Sequence, residues 1–114
     1  MATPDFRGFE LEPHIDAAGG RITILRFSKS DRELHLWRQI QVTLVGARLA
    51  MADVKIGEFF PPLRSCDISK KPTPRGELTQ LAINFEEGSL VYECDEAVCS
   101  EFSRKVRFSR ESDQ

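Results

Sequence analysis

The chain is 114 residues long, 40% apolar and 30% charged, with a formal net charge of −2 from 16 basic and 18 acidic residues. That length supports one core without disulfides or a structural metal, and the composition excludes a wholly disordered chain. The near-neutral balance is unlike the clearly basic domain of a general nucleic-acid binder, although it leaves room for a local basic patch.

Residues 1 to 20 hold Pro4, Pro13, Gly8 and the pair Gly19 and Gly20. They read as an N-terminal arm with at most one short edge strand near residues 9 to 15, followed by a turn at residues 16 to 20. No basic stretch leading into an apolar run opens the chain. The longest apolar-rich stretch, residues 42 to 54, is interrupted by Thr43, Gly46, Arg48 and Asp53. No membrane-crossing segment is expected. A single globular domain is expected over residues 21 to 109, with a disordered tail over residues 110 to 114.

Ile22 and Ile24 alternate with polar neighbours, and the alternation then slips by one to Leu25 and Phe27, as a β-bulge would produce. Residues 28 to 31 supply turn chemistry. Leu34, Leu36, Ile40, Val42 and Leu44 then occupy even positions, against Glu33, His35, Gln39, Gln41 and Thr43 on odd ones. Arg38 interrupts the apolar set and Trp37 the polar one. This is the period of a half-buried strand. A helix competes, because Ser30 and Glu33 have capping-box spacing and Leu34, Trp37, Gln41 and Leu44 recur near helical intervals. That stripe contains a glutamine and leaves Ile40 and Val42 off its face, so strand is the better reading.

Val54 and Ile56 alternate with Asp53 and Lys55, and Phe59, Phe60, Pro61 and Pro62 then break the sheet. Cys66 and Ile68 predict a short strand, and residues 70 to 76, with Pro72, Pro74 and Gly76, an exposed loop. Leu81, Ile83 and Phe85 face one way, Glu86, Glu87 and Gly88 turn, and Leu90, Tyr92 and Cys94 return as a hairpin. Asp95 could cap a short helix in which Val98, Phe102 and Val106 share a face; alternatively Val106 and Phe108 lie on a last strand. The expected fold is mostly β, with α+β open. It is an antiparallel sheet, sandwich or barrel of six to seven short strands with room for one C-terminal helix.

No catalytic or metal site is expected. Cys94 and Cys99 have C-x4-C spacing with Cys66 far upstream, short of the two close ligand pairs that zinc requires. Three cysteines do not make a disulfide framework and point to reduced thiols in the cytoplasm. Cys66 with His35 or His14 lacks the surroundings of a catalytic nucleophile, and Glu86 and Glu87 read as solvated turn residues. Gly19 and Gly20 precede a strand rather than a helix, which excludes phosphate-loop geometry, and no cofactor is expected.

Two kinds of surface residue remain. Trp37 on the polar side of its strand, with Phe59 and Phe60 and the neighbouring His35 and Arg38, are candidates for a protein interface. Lys70, Lys71 and Arg75 form one basic cluster, and Arg104, Lys105, Arg107 and Arg110 a second, near Phe102 and Phe108. Together they could contact phosphates. The hairpin LAINFEEGSLVYE of residues 81 to 93, with the strand of residues 34 to 45, resembles small bacterial β-rich immunity proteins of polymorphic toxin systems. That resemblance implies a non-enzymatic, stoichiometric inhibitor acting by occupying a partner protein's surface, as a bacterial or phage protein would. The alternative is a nucleic-acid-associated module using the basic clusters, and a homodimer through an uncovered sheet face is a further expectation.

Overall fold

A computed structural model describes residues 5–13, 15–54 and 62–105. Its strands are β1 (Glu10–Leu11), β2 (Ile15–Ala17), β3 (Ile22–Asp31), β4 (Leu36–Val45), β5 (Arg48–Val54), β6 (Leu63–Thr73), β7 (Gly76–Phe85), β8 (Gly88–Cys94) and β9 (Glu96–Lys105). The only helical turn among the described residues is 3-10, at Ala18–Gly20. All strand pairing among the described residues is antiparallel. The first sheet runs β1–β3–β4–β9, with β2 also paired to β3, and the second runs β5–β8–β7–β6.

The two sheets are joined by one folded ribbon. β4 and β9 pair without interruption from Leu36↔Lys105 to Val45↔Glu96, and β5 and β8 resume in the same register at Arg48↔Glu93. The fold in the ribbon falls at Gly46 and Asp95, where strands pass from one sheet to the other by bending. Gly46 sits at φ +66°, and a Cβ there would lie 2.5 Å from Asp95 Oδ2. Glycine is thus required twice at this corner, for its backbone and for its lack of a side chain. The Asp95 N–H donates to the Val45 carbonyl at 2.9 Å, which keeps the ladder intact through the bend. On the other side the N-terminal arm bridges the sheets. Gly8 N–H donates to the Leu63 carbonyl at 3.0 Å, and Leu63 N–H to the Phe9 carbonyl at 2.9 Å.

The core lies between the sheets. The first contributes Leu25, Phe27, Ile40, Val42 and Leu44, and the second Leu63, Cys66, Leu81, Ile83, Phe85, Leu90 and Cys94. Phe6, Phe9 and Leu11 of the arm complete it, with Phe6 edge-to-face on Phe27 at 4.9 Å. The arm is therefore part of the core. Each fully buried side chain of this size contributes about 1.5–3 kcal/mol relative to exposure.

The mostly-β antiparallel class expected from periodicity is what forms, and residues 36 to 45 are strand. Several details differ. There are nine strands among the described residues, and five of them are ten or eleven residues long. β3 carries no bulge, since its register runs evenly from Ile22↔Val45 to Asp31↔Leu36. Its apolar slip arises because Ile22 and Ile24 are half-covered on the outer face while Leu25 and Phe27 are buried on the inner one. The turn falls at residues 32 to 35 rather than 28 to 31, leaving Leu34 exposed there. Residues 70 to 76 are no loop but the end of a β6–β7 hairpin paired out to Thr73↔Gly76, with Pro72 on an edge strand. Of the two readings of the C-terminal segment, no helix forms over the described residues 96 to 105, where Val98 and Phe102 lie on β9; Val106 and Phe108 lie outside the described residues. Among the described residues no helix is long and apolar enough to cross a membrane.

Candidate functional site

The outer face of the first sheet gathers residues that the alternation of its strands points away from the core. Reading across β3, β4 and β9, the registers set Ser30, Trp37 and Arg104 in one row, then Ser28, Gln39 and Phe102. Next come Arg26, Gln41 and Ser100, then Ile24, Thr43 and Val98. β2 adds Ile15 beside Ile24. Of the six exposed large apolar residues among those described, Ile15, Val98 and Phe102 share this face; Phe102 is 54% and Val98 52% exposed. One polar row divides the face, where Arg26 Nε donates to Gln41 Oε1 at 3.1 Å.

The aromatic end of this face is organised by three side chains. Trp37 and Phe102 meet edge-to-face at 6.0 Å, and the Arg104 guanidinium lies over the Trp37 ring, 5.0 Å from its centre. An exposed cation–π contact of this kind contributes about 0.5–1 kcal/mol and holds two long side chains in a defined pose. Trp37 is half-buried, flanked by strands on both sides, so its presentation is fixed by the sheet.

The other proposed interface residues are placed differently. Arg38 lies on the inner side of β4 beyond the core, with its guanidinium 5.3 Å from the Phe9 ring centre and an ion pair to Glu101 at 3.5 Å. With Glu101, Phe102 and Ser103 it lines a small polar recess of about 190 Å³. That volume is below the range of most small-molecule sites. His35 is an exposed turn residue at φ +52°, whose N–H donates to the Arg32 carbonyl at 3.3 Å. Phe59, Phe60, His14, Arg107, Phe108 and Arg110 lie outside the described residues.

Lys70, Lys71 and Arg75 are exposed at the end of the β6–β7 hairpin, where Lys70 approaches Glu77 at 3.9 Å. Arg104 and Lys105 close β9, beside Trp37 and Leu36. The two basic groups therefore occupy different elements. Of the pair, the second is the one that has an aromatic partner, Trp37.

The cysteines are all free thiols; Cys66 and Cys94 are buried and Cys99 partly so. Burial pushes all three thiols above their ordinary range, furthest for Cys66. A thiol held neutral in this way is a poor nucleophile and a poor metal ligand. Among the described residues no group of three or more His, Cys, Asp or Glu is placed to hold a metal ion. Glu86 and Glu87 are exposed in the two-residue β7–β8 turn.

From sequence alone Trp37 is an interface candidate, Phe102 is an aromatic beside the second basic cluster and a member of one possible short helix, and Val98 has no surface role. A spacing of four is even, so Val98 and Phe102 share a face in a strand as well as in a helix. Comparison with protein-family models finds no match, and comparison with curated proteins finds none either.

Proposed function

We propose that this protein is a non-enzymatic protein-binding module, acting as a stoichiometric inhibitor or immunity-type protein that covers a partner's surface. The observation that carries the reading is the outer face of the first sheet, where Trp37, Phe102 and Arg104 are interlocked and exposed Val98 and Ile15 lie on the same face beyond the Arg26–Gln41 row. Trp, Phe and Arg are the residue types that anchor protein interfaces. Here they stand on strands rather than loops, so little ordering entropy opposes binding.

The test is a capture experiment from the source lysate with tagged wild-type protein, Trp37→Ala and Phe102→Ala in parallel, at moderate and high salt. One protein retained near one-to-one by the wild type and lost by both folded variants is expected. Equal retention by all three removes this face from the interface. Nucleic acid that elutes as salt rises would favour Lys70, Lys71, Arg75, Arg104 and Lys105 as a phosphate-contacting surface instead.

A further inference from the structure

Among the described residues, the outer edge of β9 is the one sheet edge that is neither short, shifted in register nor interrupted by proline, and its blunting device is charge alone. The β1 and β2 edge consists of strands of two and three residues. The β5 edge is broken by a register shift between Leu49 and Met51. The β6 edge carries Pro72, a register shift between Leu63 and Ser65, and the backbone of Gly8 and Phe9 bonded to Leu63. β9 is ten residues long, regular throughout, free of proline, and among the described residues paired on one side only. Alternate residues of such a strand direct N–H and C=O groups away from the sheet, a ready template for another strand.

The sequence of that edge, Glu96-Ala-Val-Cys-Ser-Glu-Phe-Ser-Arg-Lys105, is complementary to itself in the antiparallel sense. Placing Ser100 opposite Ser100 of a second copy sets Glu96 against Arg104 and Val98 against Phe102, each twice by symmetry. On the other side of the same strand Ala97 meets Ser103, and Cys99 meets Glu101. No like charges oppose one another. Sliding the partner by one same-face step in one direction puts Glu101 against itself and Val98 against Arg104. Sliding it the other way puts Glu96 against Phe102. Charges on an edge ordinarily deter pairing; here they attract in one register and disfavour the next.

We infer that the chain forms a two-fold symmetric dimer in which β9 pairs with β9 of a second copy, centred on Ser100, making one continuous sheet from the two first sheets. The pairing shares Val98, Phe102 and Arg104 with the outer face, but it rests on the register and charge pattern of the edge and not on the protein-binding reading. It also extends that face. Phe102 of each copy packs on Val98 of the other, and Arg104, already over Trp37, gains a carboxylate from Glu96 across the axis.

The experiment is sedimentation over a concentration series, with circular dichroism to confirm folding. Wild type is expected to dimerise, and Glu96→Arg and Arg104→Glu each to raise the dimer Kd by about tenfold or more, since each replaces two attractions by two repulsions. The double variant Glu96→Arg/Arg104→Glu regains dimerisation. Mixing the two single variants yields a heterodimer, because both of its cross-strand pairs are again opposite in sign. A wild type that stays monomeric up to its solubility limit overturns the inference. So does a dimer that is indifferent to both swaps, or singles that fold but do not associate on mixing.

Discussion

β4 and β9 are neighbours of ten residues each, paired position for position, yet they divide their apolar residues in opposite ways. β4 places Ile40, Val42 and Leu44 on the inner face, each at most 1% exposed. β9 turns Ala97, Cys99, Glu101 and Ser103 inward and its larger residues, Val98 and Phe102, outward. A central strand of this fold is specified by burial, whereas its edge strand is free to carry recognition. Substitution should separate them sharply. Leu44→Ala is expected to cost about 2–5 kcal/mol through lost transfer energy and a cavity, while Val98→Ala stays within about 0.5 kcal/mol. Chemical denaturation of the two variants measures the contrast, and equal losses would abolish it.

The corner that separates the two halves of the ribbon gives the next effect. Gly46→Ala must hold a β-carbon at φ +66° against Asp95. The backbone conformation alone costs about 1 kcal/mol or more, and the contact adds to it. Asp95→Ala in the same background relieves the contact and leaves the conformational cost. The double variant should therefore recover part of the loss in a thermal melt, and full recovery would mean that the backbone conformation is unstrained.

These contrasts also explain what the sequence made legible. Alternation at Leu36, Ile40, Val42 and Leu44, and around the Glu86–Glu87 turn, gave the central strands and the mostly-β class, because one buried face leaves a period of two. Alternation fails where both faces are partly covered, as at Ile22 and Ile24 beside β2, and where neither is, as over residues 70 to 76. The bend at Gly46 and Asp95 is a long-range event, since residues 49 apart in the chain must meet there. Of the candidate surface, Trp37 stood out because it broke a polar face. Phe102 and Arg104 became its neighbours only through the β4–β9 register, which no local pattern encodes.

On the outer face itself the effect on stability should be small and the effect on binding large. The Trp37–Phe102 contact is exposed on one side, and such aromatic pairs contribute about 0.5–1.5 kcal/mol beyond burial. Phe102→Ala is expected to lower the denaturation midpoint by no more than that, while partner capture is lost. Phe102→Leu, keeping apolar area without the ring, separates shape from hydrophobicity. If Phe102→Ala unfolds the protein, then β9 belongs to the core like β4, and its outward residues carry structure rather than recognition.

The smallest effect follows from the thiols, which sample the same gradient from centre to edge. Cys66 and Cys94 are 5% and 1% exposed in the interior, while Cys99 on β9 is only partly covered. Native protein should show one thiol that reacts with a disulfide reagent ahead of the other two, and all three in denaturant, with Cys99→Ser removing the first to react. The folded-state pKa of each is raised by burial, so the neutral thiols favour folding fully below the unfolded value, about 8.5. That contribution declines as pH rises above this value and the unfolded chain alone ionises. Stability should therefore fall modestly between about pH 8.5 and 10, and Cys66→Ala, which removes the thiol pushed furthest up, should relieve that slope most. Reagent reacting first at Cys66 would place the opening of the fold at β6 rather than at β9.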